Sequence, residues 1–273
     1  MAVEKIILTD THCHLDFAAF DSDRELVIRR AQDAGLERML NPGIDITTSQ
    51  AALKLAEQHD EIYAAVGIHP NSALSWDGDT CSELEELASH SKVKAIGEIG
   101  LDYYRNGAPV EVQRAVFAAQ LNLAAKMGLP VIIHYREACD EMMIILDGWV
   151  NDLNNNQSNL ANMPGVLHSF SGNLEMAEWA VARNFFIGFT GPVTYRNADL
   201  LRQVVAKVPL ENILIETDAP FLTPHPFRGK RNEPAHVGLI AGKIGELRTI
   251  EMNAVAQAST RNAARLFCWS EID

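Results

Sequence analysis

Eight short apolar runs recur along this chain, at 5–10, 38–42, 62–68, 93–98, 130–134, 165–168, 185–189 and 212–217. Each has the length of a buried strand. Longer amphipathic stretches between them read as helices, among them 22–34, 111–127 and 174–183, with Gly35, Gly128 and Pro130 where helices should end. Buried runs alternating with helices predict parallel strands joined by crossover helices. Eight such units in about 250 residues match the size of a (β/α)8 barrel. The expectation is an α/β fold, a single-domain TIM-type (β/α)8 barrel over residues 1–273, with a doubly wound open sheet as the alternative. No linker composition divides the chain.

Composition narrows the function classes. At 47% hydrophobic and 22% charged, the chain is ordinary globular material with ample length for a core. No apolar stretch approaches the roughly 18 residues that span a bilayer. The opening "MAVEKIILTD" carries Glu4 and Lys5 and makes a poor signal peptide. Cys13, Cys81, Cys139 and Cys268 form no CxxC pair and read as reduced thiols, so a cytoplasmic location is expected. The net charge of −13 argues against a general electrostatic nucleic-acid binder. It leaves room for an enzyme that grips a few phosphates with metal ions and one local basic loop. The asparagine-rich "NDLNNNQSNLANM" (151–163) reads as a mobile surface loop away from any active site.

The chemistry gathers where strands should end. "TDTHCHLD" places His12 and His14 at i and i+2, on one face of an extended chain, with Cys13 opposite. "GIHP" contributes His69, "GEIGLD" Glu98 and Asp102, "IIHYR" His134 and Arg136, "LHSFSG" His168, and "ETDAPFL" Glu216 and Asp218. Five of the nine histidines thus fall at strand C-termini, which a barrel collects into one mouth. One lone strand-end histidine is as readily structural as ligating, and "IHP" looks like a turn. Asp218 before Ala219-Pro220 would also suit a turn. The joint pattern outweighs these separate readings. Four imidazoles and two carboxylates exceed the needs of one tetrahedral ion and suit two bridged divalent ions. The expected arrangement puts His12, His14 and Asp218 on one ion and His134 and His168 on the other, with Glu98 bridging. Asp218 would also take a proton from the attacking water.

After the last strand comes "PFLTPHPFRGKRNEP", which packs Arg228, Lys230 and Arg231 around Gly229 and fits a phosphate-holding loop. Tyr103, Tyr104, Phe170 and Phe221 lie near the expected mouth, as packing or as stacking partners for bases. No P-loop, dinucleotide fingerprint or G-x-S-x-G elbow is present. The glycine spacing of "GEIGLD" matches none of these.

Taken in order, "DTHCHLD", "GIHP", "GEIGLDYY", "IIHYR", "LHSFSG", "ETDAPFL" and "RGKRNEP" closely resemble the TatD family of metal-dependent deoxyribonucleases. The likeness runs from about Thr9 to Phe267, and "NAARLF" fits the family's last helix. The resemblance implies metal ligands at His12, His14, Glu98, His134, His168 and Asp218. It implies substrate contacts from His69, Arg136, Arg228, Lys230, Arg231 and Asn232. It also implies hydrolysis of phosphodiester bonds in DNA, as an exonuclease on single strands, with two divalent ions per chain drawn from Mg, Mn or Zn. No membrane and no obligate protein partner are expected. A metallohydrolase of a small ester, amide or lactone is the main alternative, and a scaffold with a fossil site a third.

Overall fold

The computed structural model describes residues 6–269; Lys5, placed above in the first strand, lies outside them. Eight strands and nine helices succeed one another within this span. The strands are β1 (Leu8–Asp10), β2 (Leu36–Pro42), β3 (Ile62–Val66), β4 (Val93–Asp102), β5 (Val131–Arg136), β6 (Gly165–Leu167), β7 (Phe186–Phe189) and β8 (Ile213–Ile215). The helices are α1 (Arg24–Asp33), α2 (Ile46–Gln58), α3 (Thr80–Ala88), α4 (Val110–Met127), α5 (Cys139–Asn155), α6 (Leu174–Ala182), α7 (Asp199–Lys207), α8 (Val237–Arg248) and α9 (Met252–Phe267).

All eight strands lie in one sheet in chain order, β1 to β8, and the pairs β1–β2, β3–β4, β4–β5, β5–β6 and β7–β8 run parallel. The last strand returns to the first. Thr11 N–H donates to Ile215 O at 3.3 Å, and Cys13 forms a parallel bridge with Ala219. The order and this return are those of a (β/α)8 barrel. None of the helices among the described residues is long and apolar enough to cross a membrane.

The chain divides into two compact units, one of residues 1–41, 169–181 and 187–273, the other of residues 42–168 and 182–186. In the first, α9 lies against β1 and β8 and buries Val255, Ala263, Leu266 and Phe267. Two buried polar residues on that face are satisfied. Ser259 Oγ accepts from Ile215 N, while Asn262 Nδ2 donates to Leu210 O and Ile213 O. Buried polar groups paired in this way specify register at little cost. In the second unit, α4 supplies two buried glutamines that grip strand ends. Gln120 bonds both N–H and C=O of Ile68, and Gln113 does the same for Asp102. These clamps fix the backbone where β3 and β4 reach the site.

Two expectations need correction. β4 does not stop at Glu98 but runs on to Asp102, with a register irregularity against β5 between Ile96 and Ile99. Glu98 therefore sits inside the strand, at a bulge, which is how a strand re-aims a side chain. The asparagine-rich segment is not an irregular loop. Its first five residues complete α5, and Asn159–Asn162 form a 3-10 turn, with Leu153, Leu160 and Ala161 buried beneath the polar side chains.

Candidate metal centre

The first unit brings together three of the expected ligands. β1 ends at Asp10, so His12 and His14 stand beyond it, flanking the bridging residue Cys13. Backbone bonds hold this extension on both sides: Cys13 N to Leu40 O, His14 N to Ala219 O, and Asp218 N to His12 O at 2.8 Å. Cys13 is fully buried with its thiol toward Leu40 O, so the two imidazoles project together from the other side. Their Nε2 atoms lie 3.2 Å apart. Asp218 Oδ1 is 3.8 Å from His12 Nε2 and 3.6 Å from His14 Nε2.

These three edges form a triangle of ligand atoms. Bonds of about 2.0–2.2 Å from one cation to nitrogen and oxygen ligands require such edges. Two imidazole nitrogens facing each other with a carboxylate beside them make a donor set suited to a transition-metal or zinc ion. The residues present fit a metal.

Asp10 organises this triangle from behind. It is fully buried, accepts from the backbone N–H groups of His12 (3.2 Å) and Thr217 (2.9 Å), and bonds the Thr217 hydroxyl at 2.5 Å. Burial pushes its pKa up to about 7, against the lowering effect of the Thr217 hydrogen bonds. One carboxylate thus ties the residue bearing one ligand to the neighbour of another. Glu216 is also buried; it accepts from Ser169 N and from the Thr11 hydroxyl, as a structural group of this unit.

The second unit holds the other three expected ligands, with His134, His168 and also His69 turned toward Glu98 Oε1. His134 Nδ1 is 2.9 Å away, His69 Nε2 3.7 Å and His168 Nε2 4.0 Å. Asp102 faces the opposite nitrogen of His134, with Oδ2 at 3.2 Å from Nε2. His69, Asp102 and His134 also satisfy the geometry of a cation-holding group. Burial works against the charged form of His134, but its bonds to Asp102 and Glu98 prevail and raise its pKa. Burial would likewise raise Asp102. The hydrogen bonds from His134, Arg105 N and Asn71 overcome it and hold the carboxyl well below the usual range.

The glycines of "GEIGLD" now have a reason. A Cβ on Gly97 would stand 2.6 Å from Ile132 Cβ, and one on Gly100 would stand 1.9 Å from His134 O. Gly100 also has φ of +143°, a backbone conformation open to glycine and strained for other residues. Their absent side chains let β4 press against β5 on either side of Glu98.

The expected substrate residues fall into two groups. His69 caps a 3-10 turn through Nδ1, which accepts from Asn71 N, and turns Nε2 toward Glu98. It is therefore both the turn residue that "IHP" suggested and a member of the site. The Arg136 guanidinium lies 3.7 Å over the Tyr104 ring, and Arg228 lies 4.3 Å over Tyr195. Lys230 is 5.7 Å from the Phe227 ring. By contrast, Arg231 makes two bonds to Asp23, at 2.7 and 2.8 Å, and a third to Ala19 O. Asn232 is fully buried, donating to Thr217 O and Phe221 O and accepting from Glu233 N. These two residues fasten the loop to its own unit. Sequence reasoning gave Asp10 no role and left Asp102 unassigned. The only signal for the former is its position two residues before His12.

A family model described as TatD related DNase matches residues 9–268. Among curated proteins, YabD of Bacillus subtilis, named an uncharacterized metal-dependent hydrolase, is 41% identical over 96% of this chain and 99% of its own length. TatD of Shigella flexneri, named a 3'-5' ssDNA/RNA exonuclease, is 38% identical over 94% of this chain and 98% of its own length. Among solved structures, that of YjjV, a TatD homologue from Escherichia coli K12, superposes with a TM-score of 0.88 at 34% identity, covering 96% of this chain and 98% of that one.

Proposed function

Because this chain belongs to the TatD family of metal-dependent hydrolases, we propose that it hydrolyses phosphodiester bonds in single-stranded DNA as an exonuclease. The observation that carries this reading is the triangle of His12, His14 and Asp218, whose ligand atoms are spaced as a single cation requires. In this reading His12, His14 and Asp218 would hold one divalent ion and His134 and His168 a second, with Glu98 as a further carboxylate ligand. Mg, Mn and Zn are the candidate ions. When bound, such ions supply Lewis acidity that activates water near neutral pH and offsets the charge of a phosphodiester.

The chain's own residues do the rest. Asp218 accepts the proton of the attacking water at its carboxylate, being the most solvent-accessible member of its triangle. Asp10 anchors the backbone N–H of His12, and Asp102 holds the ring of His134 through Nε2. Arg228 and Lys230 offer positive charge to the scissile phosphate, and His69 and Arg136 contact the substrate. Support for nucleic acid comes from the Shigella flexneri relative, which is named a 3'-5' ssDNA/RNA exonuclease. The four free cysteines support a reducing, cytoplasmic location.

A second reading is favoured by the charge of −13 and by the name of the Bacillus subtilis relative, which specifies no substrate. On this reading the same centre hydrolyses a small ester, amide or lactone. Purified protein with Mn2+ or Mg2+ and an end-labelled single-stranded oligonucleotide separates the two. The nuclease reading expects stepwise release of mononucleotides, abolished by chelation, by His12→Ala and by Asp218→Asn. Turnover of a small ester with no nucleotide release would overturn it.

A further inference from the structure

Four aromatic residues follow the strands near the site, and their surroundings differ. Phe170 is buried, the Tyr103 hydroxyl donates to Glu141, and one face of Tyr104 is covered by Arg136. Phe221 stands apart because it is 51% exposed while its backbone is fixed at both ends. Its N–H donates to Asp218 O at 2.8 Å, and its C=O accepts from Asn232 Nδ2 at 2.7 Å. Asn232 is itself fully buried and bonded to Thr217 O. A single exposed phenylalanine is ordinary. One whose peptide is bonded to a metal-site residue and to a buried strap is pre-organised.

The neighbours of this ring point to its use. Phe221 lies edge-on to His14, with ring centroids 6.4 Å apart, and edge-on to Phe17 at 6.0 Å. Phe17 in turn lies flat against His14, at 4.5 Å and 22°. The aromatic surface is thus continuous from a metal-site imidazole to a half-exposed ring. Both residues that anchor Phe221 connect it to the reaction centre: Asp218 belongs to the ligand triangle, and Asn232 ends the "RGKRN" stretch that carries the loop's positive charge.

We propose that Phe221 is a base-stacking platform, receiving the nucleobase of the nucleotide whose phosphate occupies the metal site. This rests on the reading of nucleic acid as substrate. The ring offers a π-face and no hydrogen-bonding group, so it favours a base over an abasic sugar without choosing among bases. Because its backbone is fixed beforehand, little ordering cost opposes the contact.

Equilibrium binding of dTMP and of 2-deoxyribose 5-phosphate to the protein as purified, measured by calorimetry, tests the platform without relying on turnover. The wild type should bind dTMP roughly 5- to 150-fold more tightly than the abasic sugar phosphate. Phe221→Ala and Phe221→Leu should bring that ratio close to one, while Phe221→Trp keeps it. Circular dichroism of each variant confirms folding. Equal affinities in the wild type, failure of dTMP to bind, or an undiminished ratio in both Phe221→Ala and Phe221→Leu would overturn the proposal. Base-dependent binding without nucleotide release from an oligonucleotide would sink the nuclease reading and leave the platform standing. Release with no base preference would do the reverse.

Discussion

His134 is held by Asp102 on the side away from Glu98: Nε2 lies 3.2 Å from Asp102 Oδ2, while Nδ1 faces Glu98 at 2.9 Å. A metal-ligating imidazole needs a lone pair on one nitrogen and a partner for the proton on the other. Asp102 supplies that partner, leaving Nδ1 as the ligating atom. In Asp102→Asn, the remaining amide oxygen has to accept from Tyr104 N and Arg105 N, so the new NH2 takes the place of Oδ2. That NH2 confronts the donor on Asn71 and any proton on His134 Nε2. The proton is forced to Nδ1, where it blocks ligation. The expected result is a folded protein whose affinity for added Mn2+ or Zn2+ falls about 10- to 100-fold in calorimetric titration. Unchanged metal affinity would remove Asp102 from the site's support.

Gly100→Ala should damage the same histidine through the backbone. The new Cβ would meet His134 O at 1.9 Å on a residue whose φ is +143°. Strain and overpacking together should cost about 2–4 kcal/mol. Chemical denaturation checks the loss, which should exceed that of an alanine placed at Gly78, where a Cβ meets nothing within 4 Å.

The ligands differ in how far the sequence reveals them. His12 and His14 are legible because two residues of extended chain fix their common face. The same holds for the strand order, because each buried run is separated from the next by a helix-length stretch. Asp102 is not legible in its role: its direction depends on the bulge that carries β4 past Glu98. Arg231 reads as one more phosphate binder because its partner Asp23 lies 208 residues away. The segment 151–163 misleads by composition, since a helix end and a turn need only the few apolar side chains that Leu153, Leu160 and Ala161 provide.

This contrast within the basic loop is measurable by salt dependence. If DNA is the substrate, Arg228 and Lys230 contact phosphates and each releases counterions on binding. The slope of log K against log salt for a single-stranded oligonucleotide should then fall by about 0.7 in Arg228→Ala and again in Lys230→Ala. Arg231→Ala should weaken binding with little change in slope, because its guanidinium is already neutralised by Asp23. Equal slope changes for all three would show that the Asp23 pair opens when DNA binds.

The Asp23–Arg231 pair also predicts a pH dependence. Hydrogen bonds from Arg231, and then Arg30, lower the Asp23 carboxyl from 3.8 to about 2. A carboxylate whose folded pKa is depressed adds stability above its unfolded pKa and loses it as pH falls through the folded value. The contribution should therefore be complete above pH 4 and disappear on approach to pH 2. Asp23 is only half-buried, at the surface, so the gain is small and sensitive to salt. Thermal melts of the wild type and Asp23→Asn across this range should show their greatest difference at the upper end, narrowing as acid is added and at higher ionic strength. A difference that widened with acid would mean that Asp23 is better held in its protonated form, contrary to the ion pair.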